Sequence, residues 1–214
     1  MTPELRHMLR DDDLNHEEQK QVLELAIKFH HDRFYKQPFA GPQAVAVLFD
    51  KPSTRTRSSF SIGVAELGGY PLVIDKSGSQ LGRGEPVADT AEVLTRMAYG
   101  IVWRTFEQSR VEQMARVATV PVVNALTDEF HPCQVLADFL TLAQFKGGVD
   151  NLENLKIAYV GDAANNMSNS YLLAGAVAGM DVRVAGPNGY LPDQKIVEDA
   201  QAIAETTGGS IMVT

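Results

Sequence analysis

Short apolar runs alternate along this sequence with longer stretches of helical periodicity, and this alternation limits the possible folds more than any other feature. Residues 44–49 form an uninterrupted apolar run of strand length, as expected of a strand that is buried on both faces. In the segment that follows, Phe60, Val64 and Leu67 recur at helical spacing. Strand followed by helix, repeated along the chain, is typical of a parallel sheet wound with helices. We therefore predict an α/β fold.

The repeats fall into two wound parallel-sheet domains. Strands are predicted at residues 44–49, 70–75, 100–103, 120–123, 155–160, 181–185 and 210–213. Gly147 and Gly148 end the helix that follows the fourth strand, and a polar bridge at 149–154 precedes the fifth. We predict a first domain at 1–148 and a second domain at 153–214. Because two or three parallel strands make a poor domain on their own, we expect the second to be incomplete in this chain.

A cluster of hydroxyl and guanidinium groups follows the first strand. Residues 53–57 read Ser-Thr-Arg-Thr-Arg, at the point where the first N–H groups of a new helix have no partner within the helix. Guanidinium groups match the geometry of phosphate oxygens. The simpler alternative is an ordinary Ser/Thr helix cap with two solvated arginines. Three hydroxyls and two guanidiniums within five residues, directly after a strand, favour a phosphate-binding site.

The composition narrows the class of protein. A formal net charge of −8 argues against a general nucleic-acid-binding surface. The single cysteine, Cys133, excludes an internal disulfide and fits a reducing cytosol. The sequence has no apolar stretch of membrane-spanning length and no apolar signal core at its start, so we expect a cytoplasmic protein without a membrane anchor. No cluster has the spacing of metal ligands, and we expect neither a metal nor another cofactor.

Further polar side chains follow other predicted strands. Arg104 stands at the end of the third strand, and His131 and Gln134 follow the fourth. Ligands of wound parallel sheets bind outside the carboxyl ends of the strands. We therefore expect these three side chains to converge with Arg55. A glycine-rich polar loop at 76–85 is either a surface linker or a binding loop.

These motifs resemble those of the aspartate and ornithine carbamoyltransferase family. Residues 53–57 resemble the carbamoyl-phosphate loop that both branches share, and residues 131–134, His-Pro-Cys-Gln, resemble the second shared motif. Similarity to the ornithine branch lies in Asp128-Glu129-Phe130, Ser79-Gln80, Gly161-Asp162 and Asn165-Asn166. Members of the family continue considerably further. The resemblance thus implies a carbamoyl-phosphate domain followed by the first part of an ornithine domain.

The resemblance implies transfer of a carbamoyl group from carbamoyl phosphate to the δ-amine of ornithine, with citrulline and phosphate as products. The implied phosphate contacts are Ser53, Thr54, Arg55 and Thr56, with Arg57 supporting them. Arg104 and His131 are implied donors to the carbonyl oxygen under attack. A neutral imidazole is expected for His131, because the electropositive start of a helix disfavours the imidazolium.

The resemblance also assigns the remaining substrate contacts. Gln134 is expected to offer its amide oxygen to the carbamoyl NH₂ group, within a motif in which Pro132 and Cys133 also lie at the substrate. Cys133 is expected to be a packed side chain and not a nucleophile. Gln80 is expected at the phosphate or carbamoyl group, from a neighbouring subunit of a homotrimer or a multiple of trimers. Asn166 is expected to bind the backbone-like end of ornithine.

Other interpretations stay open at the level of sequence. His131 can be a capping or core histidine, Gln134 a solvated glutamine of a first helical turn, and Asn166 part of a polar helix start. The acceptor amine can be putrescine or a modified ornithine, because much of acceptor choice lies outside this chain. A non-catalytic module that binds carbamoyl phosphate is the alternative from a different functional class.

Overall fold

The computed structural model describes residues 5–76 and 84–214. The strands are β1 (Ala44–Phe49), β2 (Tyr70–Asp75), β3 (Gly100–Arg104), β4 (Val122–Leu126), β5 (Lys156–Val160), β6 (Asp181–Ala185) and β7 (Ser210–Val213). The helices are α1 (His16–His31), α2 (Thr54–Glu66), α3 (Val87–Thr95), α4 (Gln108–Val117), α5 (Pro132–Phe145), α6 (Asn166–Val177) and α7 (Gln194–Thr207). Within the described ranges, no helix combines the length and the apolar character needed to cross a bilayer.

The chain packs into two compact units. The first comprises residues 1–9 and 32–128, as far as they are described, and the second comprises residues 10–31 and 129–214. Each unit contains its own parallel sheet, in the order β2-β1-β3-β4 in the first and β5-β6-β7 in the second. The predicted α/β fold with two wound parallel sheets is therefore confirmed. The predicted domain boundary between residues 148 and 153 stays a prediction.

In the first unit, the four-stranded sheet buries both faces. Val47 and Phe49 of β1 point into an apolar cluster with Val64 of α2. Ala46 and Leu48 point to the opposite face, where the apolar side chains of α3 and α4 cover the sheet. This two-sided burial explains why β1 has an uninterrupted apolar sequence. The carboxyl ends of β1 and β3 lie side by side, with Phe49 opposite Arg104.

In the second unit, one helix lies almost wholly inside the core. Leu172, Leu173 and Ala176 of α6 are fully buried, in a cluster that also includes Val182 of β6 and Phe139 of α5. The three-stranded sheet is less covered, because alternate residues of β5 are exposed and Val160 is 79% exposed. Parallel sheets are usually covered on both faces. The second sheet thus has one face that the described residues leave open to solvent.

Two elements differ from the sequence-based prediction. The fourth strand spans Val122–Leu126, whereas the prediction placed it at 120–123. The polar Asn124 suggested a loop, but it is fully buried in β4, where its side-chain amide donates to the carbonyl oxygen of Leu9 at 2.9 Å. Helix α4 was not predicted at all, although Val111 and Met114 bury one of its faces.

Candidate active site

The predicted phosphate-binding segment forms the first turn of α2. Ser53 is the N-cap of this helix, and its Oγ accepts a hydrogen bond from the backbone N–H of Thr56 at 3.1 Å. The cap uses a lone pair of Ser53, so its O–H remains available as a donor. Thr54 and Arg55 are exposed in the same turn. The helix start, with its partial positive charge, therefore faces solvent together with a hydroxyl and a guanidinium group.

Arg57 is held by the ends of two neighbouring strands. Its guanidinium lies 5.1 Å above the ring of Phe49 and forms an ion pair with Asp75. Because the Arg57 side chain is engaged on both sides, it is placed to support the segment and not to reach far from it. This geometry favours the supporting role that the resemblance implies.

Arg104 lies against the phosphate-binding segment at the end of β3. Its Nη1 donates to Thr56 Oγ1 at 3.5 Å, and the register between β3 and β4 shifts between Trp103 and Arg104. Desolvation, together with the nearby charge of Arg55, lowers the pKa of Arg104. Its Nε is buried, and within residues 5–76 and 84–214 it has no hydrogen-bond partner. Two mutually repelling guanidiniums and a buried unpaired donor make a site that an anion would stabilise.

An open cleft of about 860 Å³ adjoins this segment. It is lined by residues 49–54, 57, 58, 75 and 76. Two lysines of this lining, Lys51 and Lys76, place their ammonium groups 4.7 and 5.7 Å from the ring centre of Phe106. Lys51 also forms an ion pair with Asp128. No role was predicted for either lysine from the sequence, because they reach Phe106 from distant parts of the chain.

Beneath the cleft, a buried carboxylate holds the turn after β1. The Asp50 side chain is 6% exposed, and its Oδ2 accepts hydrogen bonds from Thr105 Oγ1 at 2.5 Å and Arg110 Nη2 at 3.3 Å. Arg110 also lies 5.0 Å above the ring of Trp103. The backbone N–H of Asp50 donates to the carbonyl oxygen of Arg104 at 2.9 Å. This network ties the strand end that carries Arg104 to the turn that precedes Ser53.

The predicted motif at 131–134 forms the start of α5 in the second unit. His131 is the N-cap residue and Pro132 the first residue of the helix. Burial raises the pKa of the Cys133 thiol to about 12, so Cys133 is protonated at neutral pH, which favours a packed side chain over a nucleophile. Gln134 Nε2 donates to Asp138 Oδ1 at 3.0 Å. This bond uses one of the two N–H donors of the amide, and the amide oxygen is an acceptor that Gln134 can present to a substrate.

The two asparagines at the start of α6 have different environments. Asn165 is the N-cap residue, and its Oδ1 accepts from the backbone N–H groups of Met167 and Ser168 at 2.9 and 3.3 Å. Its Nδ2 donates to Tyr159 Oη and to the carbonyl oxygen of Asp162. The cap thus uses the whole side chain of Asn165. Asn166 is the half-buried first residue of the helix, next to this cap.

The structure groups the predicted residues by unit. Residues 53–57 and Arg104 lie together in the first unit, whereas residues 131–134 and Asn166 lie on two neighbouring helices of the second. The convergence of these two groups stays a prediction. Gln80 lies outside the described residues.

The family's sequence models match most of the chain. Residues 6–144 match the carbamoyl-P binding domain of aspartate/ornithine carbamoyltransferase, and residues 153–214 match the Asp/Orn binding domain. The ornithine carbamoyltransferase of Bifidobacterium longum subsp. infantis is 84% identical over 214 residues, which are all of this chain and 67% of that protein. The ornithine carbamoyltransferase of Clavibacter sepedonicus is 55% identical over 208 residues, which are 97% of this chain and 67% of that protein.

A solved structure of a relative has a similar fold. The ornithine carbamoyltransferase of Pyrococcus furiosus is 41% identical, with a TM-score of 0.90 over 97% of this chain and 66% of that one. This chain thus spans about two thirds of the length of its relatives, which fits the incomplete second domain expected from the sequence. The chain belongs to the aspartate/ornithine carbamoyltransferase family.

Proposed function

We propose that this chain is part of an enzyme that transfers the carbamoyl group of carbamoyl phosphate to the δ-amine of L-ornithine, giving L-citrulline and phosphate. The observation that carries the proposal is the anion site at the start of α2. There, Arg55 and Arg104 repel one another, and the buried Nε of Arg104 has no partner among the described residues. The names of its relatives supply the acceptor, ornithine.

The phosphate is the leaving group, and the first unit must stabilise its negative charge. In the proposed mechanism, the first-turn N–H groups of α2 and the hydroxyls of Ser53, Thr54 and Thr56 donate to its oxygens. Arg55 adds a guanidinium, and Arg57 supports the turn through its pair with Asp75. These donors stabilise the negative charge that grows on the phosphate as the bond to the carbamoyl carbon breaks.

The carbonyl oxygen of the carbamoyl group gains negative charge when the amine attacks. Arg104 and a neutral His131 are the proposed donors to this oxygen, and loss of one such donor costs about 100-fold or more in rate. Gln134 presents its amide oxygen to the carbamoyl NH₂ group, while one N–H of its amide donates to Asp138. Pro132 and Cys133 complete the turn that places these side chains.

The attacking amine must be neutral, although an alkyl ammonium titrates near ~10.4. In the proposed complex, Asn166 binds the backbone-like end of ornithine and leaves the δ-amine to face the carbamoyl carbon. Gln80 is proposed to reach the carbamoyl phosphate of a neighbouring subunit. A role in arginine biosynthesis is proposed from the product citrulline, and the single cysteine fits a cytoplasmic enzyme.

We further propose that the enzyme is a homotrimer or a multiple of trimers. Val93, Met97 and Tyr99 are each more than half exposed, and they are apolar side chains that an interface between subunits would cover. Light scattering is expected to give three times the mass of one chain, or a multiple of that mass. A monomer at high concentration would contradict both the trimer and the shared role of Gln80.

Calorimetric titration of the chain with carbamoyl phosphate tests the anion site. Arg55→Ala should abolish binding and leave the circular dichroism spectrum unchanged, because the exposed Arg55 side chain serves the ligand and not the core. Arg116→Ala is the matched control, since Arg116 is exposed in the last turn of α4, and it should bind as the parent does. Unaltered affinity of Arg55→Ala would contradict the assignment, as would its unfolding.

Turnover tests the acceptor. Residues 1–214 can be joined to the C-terminal third of the Bifidobacterium longum subsp. infantis relative, which is 84% identical over the shared part. This completed enzyme should form citrulline from ornithine, with no product from putrescine or aspartate. Since much of acceptor choice lies in the joined third, citrulline formation tests whether residues 1–214 supply a competent carbamoyl-phosphate domain for this reaction. Turnover with putrescine alone would overturn the choice of ornithine. Binding of carbamoyl phosphate without turnover by the completed enzyme would favour the non-catalytic alternative.

A further inference from the structure

A buried chain of hydrogen bonds leads from Asp11 to the backbone of His131 within the second unit. The Ser170 hydroxyl donates to Asp11 Oδ2 at 2.6 Å, and the backbone N–H of His131 donates to Ser170 Oγ at 2.8 Å. Asp11 is 4% exposed and Ser170 is fully buried. Because water is excluded from these groups, loss of any one of them would leave a buried polar group unpaired.

The residue next to Ser170 holds the same loop at a second point. Asn169 Nδ2 donates to the carbonyl oxygen of Glu129 at 3.0 Å, and Asn169 is 7% exposed. Phe130, between the two held peptide groups, is buried and lies beneath the guanidinium of Arg10 at 5.1 Å. Two successive residues of α6 therefore fix the backbone on either side of Phe130, directly before the helix that His131 caps.

We propose that Asp11, Asn169 and Ser170 are positioning residues for His131 at the start of α5. Ser170, oriented by Asp11, binds the backbone N–H of His131, and Asn169 holds the carbonyl oxygen of Glu129 just before it. A serine hydroxyl has one proton and two lone pairs. Because Asp11 accepts the proton, a lone pair of Ser170 is directed at the N–H of His131. The proposal rests on the proposed function, in which the imidazole of His131 donates to the carbamoyl oxygen.

The charge state of Asp11 supports this arrangement and guides the choice of variants. The neighbouring guanidinium of Arg10 is bound to Asp12 and Asp199. Burial raises the pKa of Asp11 to about 8, so the carboxyl group is mostly neutral at pH 7. An uncharged side chain with an acceptor oxygen is thus sufficient to bind Ser170. Asp11→Asn keeps such an oxygen, whereas Asp11→Leu removes it.

Kinetics of the completed enzyme tests the catalytic consequence. Ser170→Ala and Asp11→Leu should each lower kcat about 10-fold or more, since small displacements of a catalytic group are costly, while KM for ornithine changes less than about twofold. Asp11→Asn should keep kcat within about twofold of the parent. Asp12→Asn, which removes a carboxylate one residue away without touching Ser170, is the matched control. A kcat within twofold of the parent for Ser170→Ala would overturn the proposal.

Amide hydrogen exchange of the unmodified 214-residue chain tests the contact itself. The N–H of His131 should exchange about 100-fold or more slowly than an unstructured amide, and Asp11→Asn should leave this protection in place. Fast exchange at His131 would overturn the proposal, whether or not the other variants fold. This measurement needs no substrate, so it separates the two proposals. If His131 is protected in a chain that fails to bind carbamoyl phosphate, the proposed function is refuted and the positioning contact is supported.

Discussion

Asp50 shows how a single buried carboxylate can determine the stability of the first unit. Asp50→Ala removes the acceptor of both Thr105 and Arg110, and Thr105 is fully buried. We expect the free energy of unfolding to fall by about 2 kcal/mol, since a buried donor is left without an acceptor. Urea unfolding followed by fluorescence measures this directly, because Trp103 is the only tryptophan of the sequence and lies beneath Arg110.

Asp128→Ala is the matched control for this measurement. Asp128 belongs to the same unit and pairs with Lys51, but its side chain is 58% exposed. An exposed ion pair contributes at most about 1 kcal/mol, so this variant should unfold close to the parent. Equal losses of unfolding free energy in the two variants would show that burial of the Asp50 network does not contribute to stability.

Single residues also show which part of the site the sequence could reveal. Residues 53–57 were predictable, because their donors are contiguous and follow a recognisable strand. The partners of Asp11 and Asp50 were not, because 159 residues separate Asp11 from Ser170 and 55 separate Asp50 from Thr105. Hydrogen bonds between residues so far apart in the sequence depend on how the elements pack, and the local composition does not indicate them.

At the scale of elements, α6 lies so close to β6 that a single methyl group should matter. A Cβ added at Gly175 would overlap Val182 Cγ2, and Val182 is fully buried in β6. Gly175→Ala should therefore lower the free energy of unfolding by about 1–3 kcal/mol through overpacking. Thermal unfolding followed by circular dichroism measures this loss as a lower Tm.

Gly63→Ala in α2 is the control for the same substitution in a helix. An added Cβ at Gly63 meets no atom of the described residues within 4 Å. This variant should gain about 0.4–1 kcal/mol, because alanine loses less conformational entropy on folding than glycine does. An unchanged Tm for Gly175→Ala would mean that α6 and β6 can move apart at little cost.

Helices and strands were predictable from the sequence where apolar residues recur over a long segment or where capping residues mark the start of a helix. Asn15 and Glu18 have the sequence spacing of a capping box, and they form one at the start of α1 with reciprocal hydrogen bonds of 2.9 and 3.0 Å. Helix α4 lacks such a signal, since Glu107 at its N-cap makes no side-chain capping bond. Its few apolar residues are buried by the sheet that they cover, and the sequence alone does not show that contact.

At the scale of the whole molecule, the two compact units do not follow the order of the chain. Helix α1 is close to the N-terminus, yet Leu23 packs in one apolar cluster with Phe139 of α5 and Leu152. The amphipathic pattern of α1 predicts that one face is buried. It does not identify the elements against which that face packs. Tertiary packing, and not helical periodicity, therefore assigns α1 to the second unit.

The pH dependence of stability offers a test of the buried Asp11 that involves the whole second unit. Burial raises the pKa of Asp11 to about 8, against about 3.9 in an unfolded chain. The groups around it are Arg10, Asp12, Ser170 and Cys133, whose thiol stays protonated because its pKa is raised to about 12. Between pH 4 and 8 only the unfolded state releases the proton, so Asp11 makes the fold less stable as the pH rises.

The side chain of Asp11→Asn does not titrate, so this variant should not lose stability in this way as the pH rises. Its stability relative to the parent should grow as the pH rises from about 4 to about 8 and stay constant above pH 8, in urea unfolding followed by circular dichroism. Glu24→Gln, which changes an exposed carboxylate of α1 in the same unit, is the control. If the advantage of Asp11→Asn were the same at pH 5 and pH 8, the carboxyl group of Asp11 would be ionised in the folded protein. The protein interior would then have to supply a positive partner for it.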